Sequence, residues 1–230
     1  MPELRTSAFL VYFVVLLILV KKLLPLFIWW FCLSCLWGIY RLFGLPEFVS
    51  EVIAKPLIWV GTTLLFFRWK KIPQAVSADL RKNYLTTKPF AQIFVLPLLF
   101  IVGYFFLVNF QSLHKTSWDW SLLGLGLVVN FSTGIVEEYI YRGVMYVWLL
   151  KQTDEISAFG IVQLLFLLGH LPTLLLRSES LEAGLIHAFF IVLIGALHTI
   201  IFRITKSLYA STLAHGAWNT LVYYFLIPVG

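Results

Sequence analysis

Charge is what this chain of 230 residues has least of: 12% of its residues are Asp, Glu, Lys or Arg, eleven of them acidic, against roughly a quarter charged in soluble domains. Cysteine is nearly absent too. Cys32 and Cys35 lie one helical turn apart in an apolar block, too few for a disulfide framework and without the second pair a structural zinc site needs. They read as packing residues. No polar stretch is long enough to build a soluble domain with its own core. The HEXXH zinc motif, the G-x-S-x-G nucleophile elbow and the P-loop are also missing, which removes their usual chemistries from consideration.

What fills the chain instead is apolar. Hydrophobic residues make up 60%, and mean hydropathy is +0.91, so the chain reads as a multi-pass integral membrane protein. Apolar blocks at about 7 to 20, 23 to 43, 51 to 67, 90 to 110, 120 to 150, 156 to 176, 183 to 203 and 207 to 228 predict an all-α, polytopic helical bundle with about six to eight transmembrane helices. The first block is short for a span, and it either merges with the second or lies in the interface. The block from Trp120 to Leu150 is long for one crossing, which predicts a tilt or a break near Gly124, Gly126 or Gly134. Arg5 ahead of the run from Ser7 to Val20 resembles a signal peptide, but no small-x-small site follows, so an uncleaved first segment is expected.

The net charge of +6 comes from basic residues collected in the connections. Between Arg68 and Lys88 six Lys or Arg face one acid, Asp79, which places that loop in the cytoplasm. Alternation then puts the loops at Lys151 and at Arg203 to Lys206 on the same side. Topology and contact with anionic head groups explain these charges without nucleic acid as a partner.

Against this background one pair of acids stands out. Glu137 and Glu138 sit side by side inside a long apolar stretch, where a carboxylate costs on the order of 3 kcal/mol or more to insert and persists only with partners or a wet cavity. Arg142, four residues after Glu138, can reach back to it on a helix, which leaves Glu137 aimed elsewhere. His170, His187, His198, His215 and Asn219 are further polar residues within spans. His215 and Asn219 share a face beside the small residues Ala210, Ala214 and Ala217, which allow close helix approach. Counted from the ends of their blocks, Glu137, His170, His215 and Asn219 can meet in one layer. Three chemistries suit such a cluster. Glu137, His170 and His215 could hold a transition metal, most often zinc. Alternatively the carboxylate acts as general base on a water that attacks an amide, with the imidazoles and Asn219 stabilising the oxyanion. The third is a hydrogen-bonded polar core, or a proton path in a transporter.

The spacing also carries a resemblance. EEYIYR from Glu137 to Arg142 reads as EExxxR, FLLGH from Phe166 to His170 as FxxxH, and HGAWN from His215 to Asn219 as HxxxN. In this order on successive membrane helices, these motifs resemble the CPBP family, the CAAX protease and bacteriocin-processing (Abi) intramembrane endopeptidases. The resemblance implies a catalytic helical core over residues 85 to 230, preceded over 1 to 84 by N-terminal membrane helices and the basic loop, all in one membrane domain. It implies peptide-bond hydrolysis in a cavity open toward the cytoplasm, with Glu137 activating water, His170 and His215 positioning it or stabilising the oxyanion, and Asn219 donating to the oxyanion. Glu138, Arg142 and Phe166 are supporting residues on this reading. Whether zinc takes part is left open. The implied partners are a peptide or membrane-protein substrate and the bilayer, and a compact chain of this kind looks more like the bacterial members, in a cell membrane. A different class of function, bacteriocin immunity or a peptide-binding scaffold, is the alternative.

Outside the motifs, His187 and His198 read as packing histidines and His114 as a solvated loop residue. Glu51 and Lys55 read as an interfacial pair, and tryptophans such as Trp29, Trp30, Trp118 and Trp120 as interface anchors.

Overall fold

The computed structural model describes residues 2–70, 98, 101–103, 120–177 and 180–225; within these, the side chains of 2–19, 70, 120–122, 173, 176–177 and 223–225 lie outside the description. The basic loop from Arg68 to Lys88, the predicted span at 90 to 110, the proposed boundary at 84/85, His114, Trp118 and Asp119 fall largely or wholly outside it. The described chain is helical, with no strand among its residues. In order it runs α1 (Pro2–Arg41), a π-helical segment π1 (Val49–Ala54), α2 (Lys55–Lys70), α3 (Trp120–Glu138), a second π segment π2 (Tyr139–Tyr146), α4 (Val147–Leu149), α5 (Glu155–Arg177), α6 (Leu181–Thr205) and α7 (Leu208–Phe225). Among the described residues four stretches are long and apolar enough to cross a membrane, Val20–Arg41, Val49–Trp69, Glu155–Pro172 and Leu181–Thr205. The protein is an all-α integral membrane bundle.

The first two predicted blocks are one helix. α1 runs 40 residues through Lys21, Lys22 and Pro25, a rod of about 60 Å, roughly twice the hydrocarbon thickness. The long block after Trp120 is also continuous. It does not break at its glycines; its irregularity is π2, which begins at the residue after Glu138. Every residue from Ile140 to Leu149 is buried, so this stretch is enclosed on all sides rather than presenting one face to lipid. That enclosure is what allows it to carry Arg142 fully buried in an apolar core.

Small residues and short turns set the packing around it. α3 and α7 share the most extensive helix contact, and glycine makes it close. A Cβ on Gly134 would lie 3.1 Å from the backbone nitrogen of Gly216, and a Cβ on Gly216 would lie 2.7 Å from the Phe131 ring. Two residues, Lys206 and Ser207, join α6 to α7, and Lys206 takes the left-handed conformation (φ 52°) that ends α6. So short a link forces antiparallel neighbours. At the same end of the bundle Arg203 pairs with Glu155 at 2.6 Å, so the loops flanking α5 and α6 lie on one side, as the charge pattern requires. Asp154 caps α5, accepting from the Ile156 and Ser157 amides at 3.0 Å, and the Ser157 hydrogen bonds hold its carboxyl below its ordinary value.

The aromatic side of the core joins the N-terminal hairpin to this centre. Trp29 is buried and stacks on Phe66 at 4.9 Å, and Trp59 meets Tyr141 edge-on at 6.0 Å. Trp29 is therefore a core residue and not an interface anchor. If the α3–α7 contact fixes the bundle, Gly134→Leu, which drives a side chain into the α7 backbone, should destabilise the protein by about 1–3 kcal/mol or more; a melting temperature in detergent equal to wild type would contradict this.

Candidate active site

Arg142 is the largest fully buried side chain among the described residues. Its guanidinium is satisfied from three directions. Nε donates to Thr199 Oγ1 at 3.1 Å, Nη1 to Glu138 Oε1 at 2.9 Å and Nη2 to the Gly195 carbonyl at 2.6 Å, while the charge lies 4.8 Å from the centre of the Phe166 ring. A Cβ at Gly195 would fall 2.7 Å from Gln163 Oε1 and 2.9 Å from Phe166, so glycine is what lets α6 come this near. Gln163 completes the shell by donating to Thr199 Oγ1 at 2.8 Å. The i, i+4 pair foreseen for Glu138 and Arg142 is present, and α5 and α6 hold it.

Glu138 serves a second partner. Its Oε1 also lies 2.8 Å from Nδ1 of His215, and a carboxylate can only accept there, so Nδ1 carries the proton and Nε2 is left with a lone pair. Nε2 lies 3.7 Å from Oε2 of Glu137, too far for a hydrogen bond. His170 has the same protonation pattern for a different reason. Its Nδ1 is 2.8 Å from the Phe166 carbonyl on the preceding turn, so it donates and again frees Nε2. Phe166 is buried, its ring 4.5 Å from that of His170 and edge-on to Tyr141 at 4.9 Å.

Glu137, His170, His215 and Asn219 all line one cavity of about 490 Å³. Glu138, Arg142 and Phe166 do not line it; they stand behind it. Glu137 is 4% exposed, and its two oxygens differ. Oε1 accepts from Nζ of Lys55 at 2.6 Å, while Oε2 is buried without a hydrogen-bond partner among the described residues. Lys55 also donates to Glu51 Oε2 at 2.8 Å, and Glu51 is held in turn by the Thr133 hydroxyl at 2.8 Å and, through its backbone carbonyl, by Ser132 at 2.9 Å. The interfacial reading of Glu51 and Lys55 is thus overturned: Lys55 is 4% exposed and reaches the centre of the site. Residue spacing misses it because Lys55 lies 82 positions from Glu137.

His198 is the second residue the sequence reading placed too simply. It is fully buried, stacks on His215 with ring centres 4.5 Å apart and places Nδ1 3.6 Å from Glu138 Oε1. Neither of its ring nitrogens has a hydrogen-bond partner among the described residues. His187, by contrast, is exposed.

The donors can be tested against zinc. Among the described residues the group whose ligand atoms come within 4.8 Å of one another is Glu138, His198 and His215, which shares only His215 with the set expected from the sequence. Zinc ligands must present free lone pairs. Glu138 Oε1 already receives Arg142 and His215, and Glu137 Oε1 already receives Lys55. With one cation on each carboxylate, a dication would enter against two fixed positive charges, while Glu137 Oε2, Glu138 Oε2 and both nitrogens of His198 carry no hydrogen bond among the described residues and are atoms of the kind zinc takes.

Carboxylates, imidazoles and an amide thus meet around one cavity inside a helical membrane bundle. Residues 119–221 match the family model described as type II CAAX prenyl endopeptidase, Rce1-like, which is the CAAX protease family that the three motifs resemble. That family is one of membrane endopeptidases acting on peptide or protein substrates. The matched segment contains all the motif residues and excludes Glu51 and Lys55. No curated protein and no solved structure matches the chain.

Removing one member of the Glu138–Arg142 pair leaves a buried charge unmatched, at a typical cost of 3–5 kcal/mol. Unfolding of Glu138→Gln, Arg142→Met and the double variant in detergent should therefore reveal coupling, with the double variant less damaged than the sum of the singles. Strict additivity would refute the pairing.

Proposed function

We propose that the protein is an intramembrane endopeptidase in which Glu137 activates the attacking water. The observation that carries this reading is the asymmetry of the Glu137 carboxylate, with one oxygen committed to Lys55 and the other buried and free of hydrogen bonds in a cavity shared with His170, His215 and Asn219. A general base needs such an unoccupied lone pair within reach of the proton it takes.

On this reading a water between Oε2 and the free Nε2 of His170 gives its proton to Glu137, and the hydroxide attacks the carbonyl carbon of the scissile bond. The oxyanion that forms accepts from the amide of Asn219, while the Nε2 lone pair of His215, set by Glu138 at Nδ1, helps to hold the water before attack. As the carbon–nitrogen bond breaks, Glu137 returns the proton to the departing amine and is again a carboxylate. The chemistry needs no dication, since the base and the oxyanion donor are both side chains of this chain. The substrate is a peptide or membrane protein that can present an extended backbone to the cavity, and the setting is the plasma membrane of a bacterial cell.

Cleavage of a fluorogenic peptide library by purified protein treated with a chelator tests the reading. Glu137→Gln should lower kcat by about 100-fold or more, and wild-type turnover should survive chelation. Turnover restored only by added zinc would instead make the histidines ligands, and a fully active Glu137→Gln would remove Glu137 from the chemistry.

A further inference from the structure

We infer that Lys55 is a positioning residue for Glu137, so that the N-terminal helical hairpin, outside the family segment, completes the active site. The inference rests on the reading of Glu137 as the base. An ammonium buried to 4% exposure would carry a heavy desolvation cost if it served only to join helices, and pairs of this kind are often replaceable by apolar residues without loss. Here the ammonium is held on every side. Two carboxylates approach it, Glu137 at 2.6 Å and Glu51 at 2.8 Å, and two indole rings flank it, Trp59 at 5.2 Å and Trp37 at 5.5 Å from the charge to the ring centre, within cation–π range.

The consequence falls on Glu137. A carboxylate on a flexible side chain can turn either oxygen to a substrate, but an anchored Oε1 fixes the carboxylate plane and leaves Oε2 facing the cavity. Glu51 cannot draw the lysine away, because the Thr133 hydroxyl at 2.8 Å and the Arg41 guanidinium at 3.6 Å hold it in place. The lysine also matches the charge of Glu137 in the resting site without touching Oε2. Lys55 therefore acts on turnover through the orientation of the base.

Steady-state kinetics on purified full-length variants tests this, with melting temperature and elution profile reporting folding. Lys55→Gln keeps a hydrogen-bond donor but loses the charge and the reach. Its kcat per folded molecule should fall by about 30-fold or more, as a misplaced catalytic group typically produces, with KM within about threefold of wild type. Lys55→Arg should recover part of the loss. If Lys55→Gln is not obtained folded, the Lys55→Met/Glu51→Gln double variant leaves one fewer unmatched carboxylate and carries the same readout. A lysine that only stabilises the fold would lower melting temperature and yield but leave kcat per folded molecule within about threefold of wild type, and that result overturns the inference while Glu137→Gln remains inactive. An active Glu137→Gln would instead overturn the reading of the base on which the inference depends.

Discussion

The structure depends first on the charge matching that lets two adjacent carboxylates sit inside a membrane bundle. Each buried ion costs several kcal/mol to desolvate, and a pair is tolerated only when its geometry is good and its remaining donors are satisfied. Arg142 meets that demand with three hydrogen bonds, two to α6 and one to Glu138, and Lys55 meets it with two carboxylates and two indoles. Opposite ends of the Glu137–Glu138 pair are thus tied to different parts of the bundle. Glu138 is bound toward α5, α6 and α7, and Glu137 toward π1 and α2.

That division separates the two carboxylates by task. Glu138 gives its Oε1 to an arginine and an imidazole and stands behind the cavity, so its role is to hold Arg142 and to set the tautomer of His215, as a buried carboxylate does behind a catalytic histidine. Glu137 keeps one oxygen uncommitted and faces the cavity. The helix packing supports the same end, since the glycine contact of Gly134 with Gly216 brings α7, and with it His215 and Asn219, against the helix that carries both acids. π segments are rare and concentrate at functional sites. One of them begins directly after Glu138, and the other, Val49–Ala54, contains Glu51 and ends at the residue before Lys55.

Much of this was legible in the sequence because the motif residues are local. The Glu138–Arg142 pair is an i, i+4 relation on one helix, and depth arithmetic along straight helices was enough to bring Glu137, His170, His215 and Asn219 to one layer. The all-α membrane class followed from hydropathy alone. What could not be read are contacts made across long sequence separations and departures from ideal helix geometry. Lys55 looked like the partner of Glu51, which it is, but nothing in the spacing indicates that the same ammonium crosses to Glu137. His198 read as packing because no motif includes it, yet it stacks on His215. Neither π segment has a signature in propensity, and Lys21 and Lys22, which a helix accommodates without breaking, left two readings of the first apolar block, of which the merger into α1 is the one observed.

The central claim is that Oε2 of Glu137 holds the attacking water while Lys55 holds Oε1. A crystal or cryo-electron microscopy structure of the protein bound to a hydrated peptidyl ketone, a mimic of the tetrahedral intermediate, tests it most directly. The account predicts one hydrate oxygen within hydrogen-bond distance of Glu137 Oε2 and the other facing Asn219, with Lys55 still on Oε1. A hydrate bound against Glu138 and His198, or Lys55 turned away from Glu137 in the complex, would contradict it.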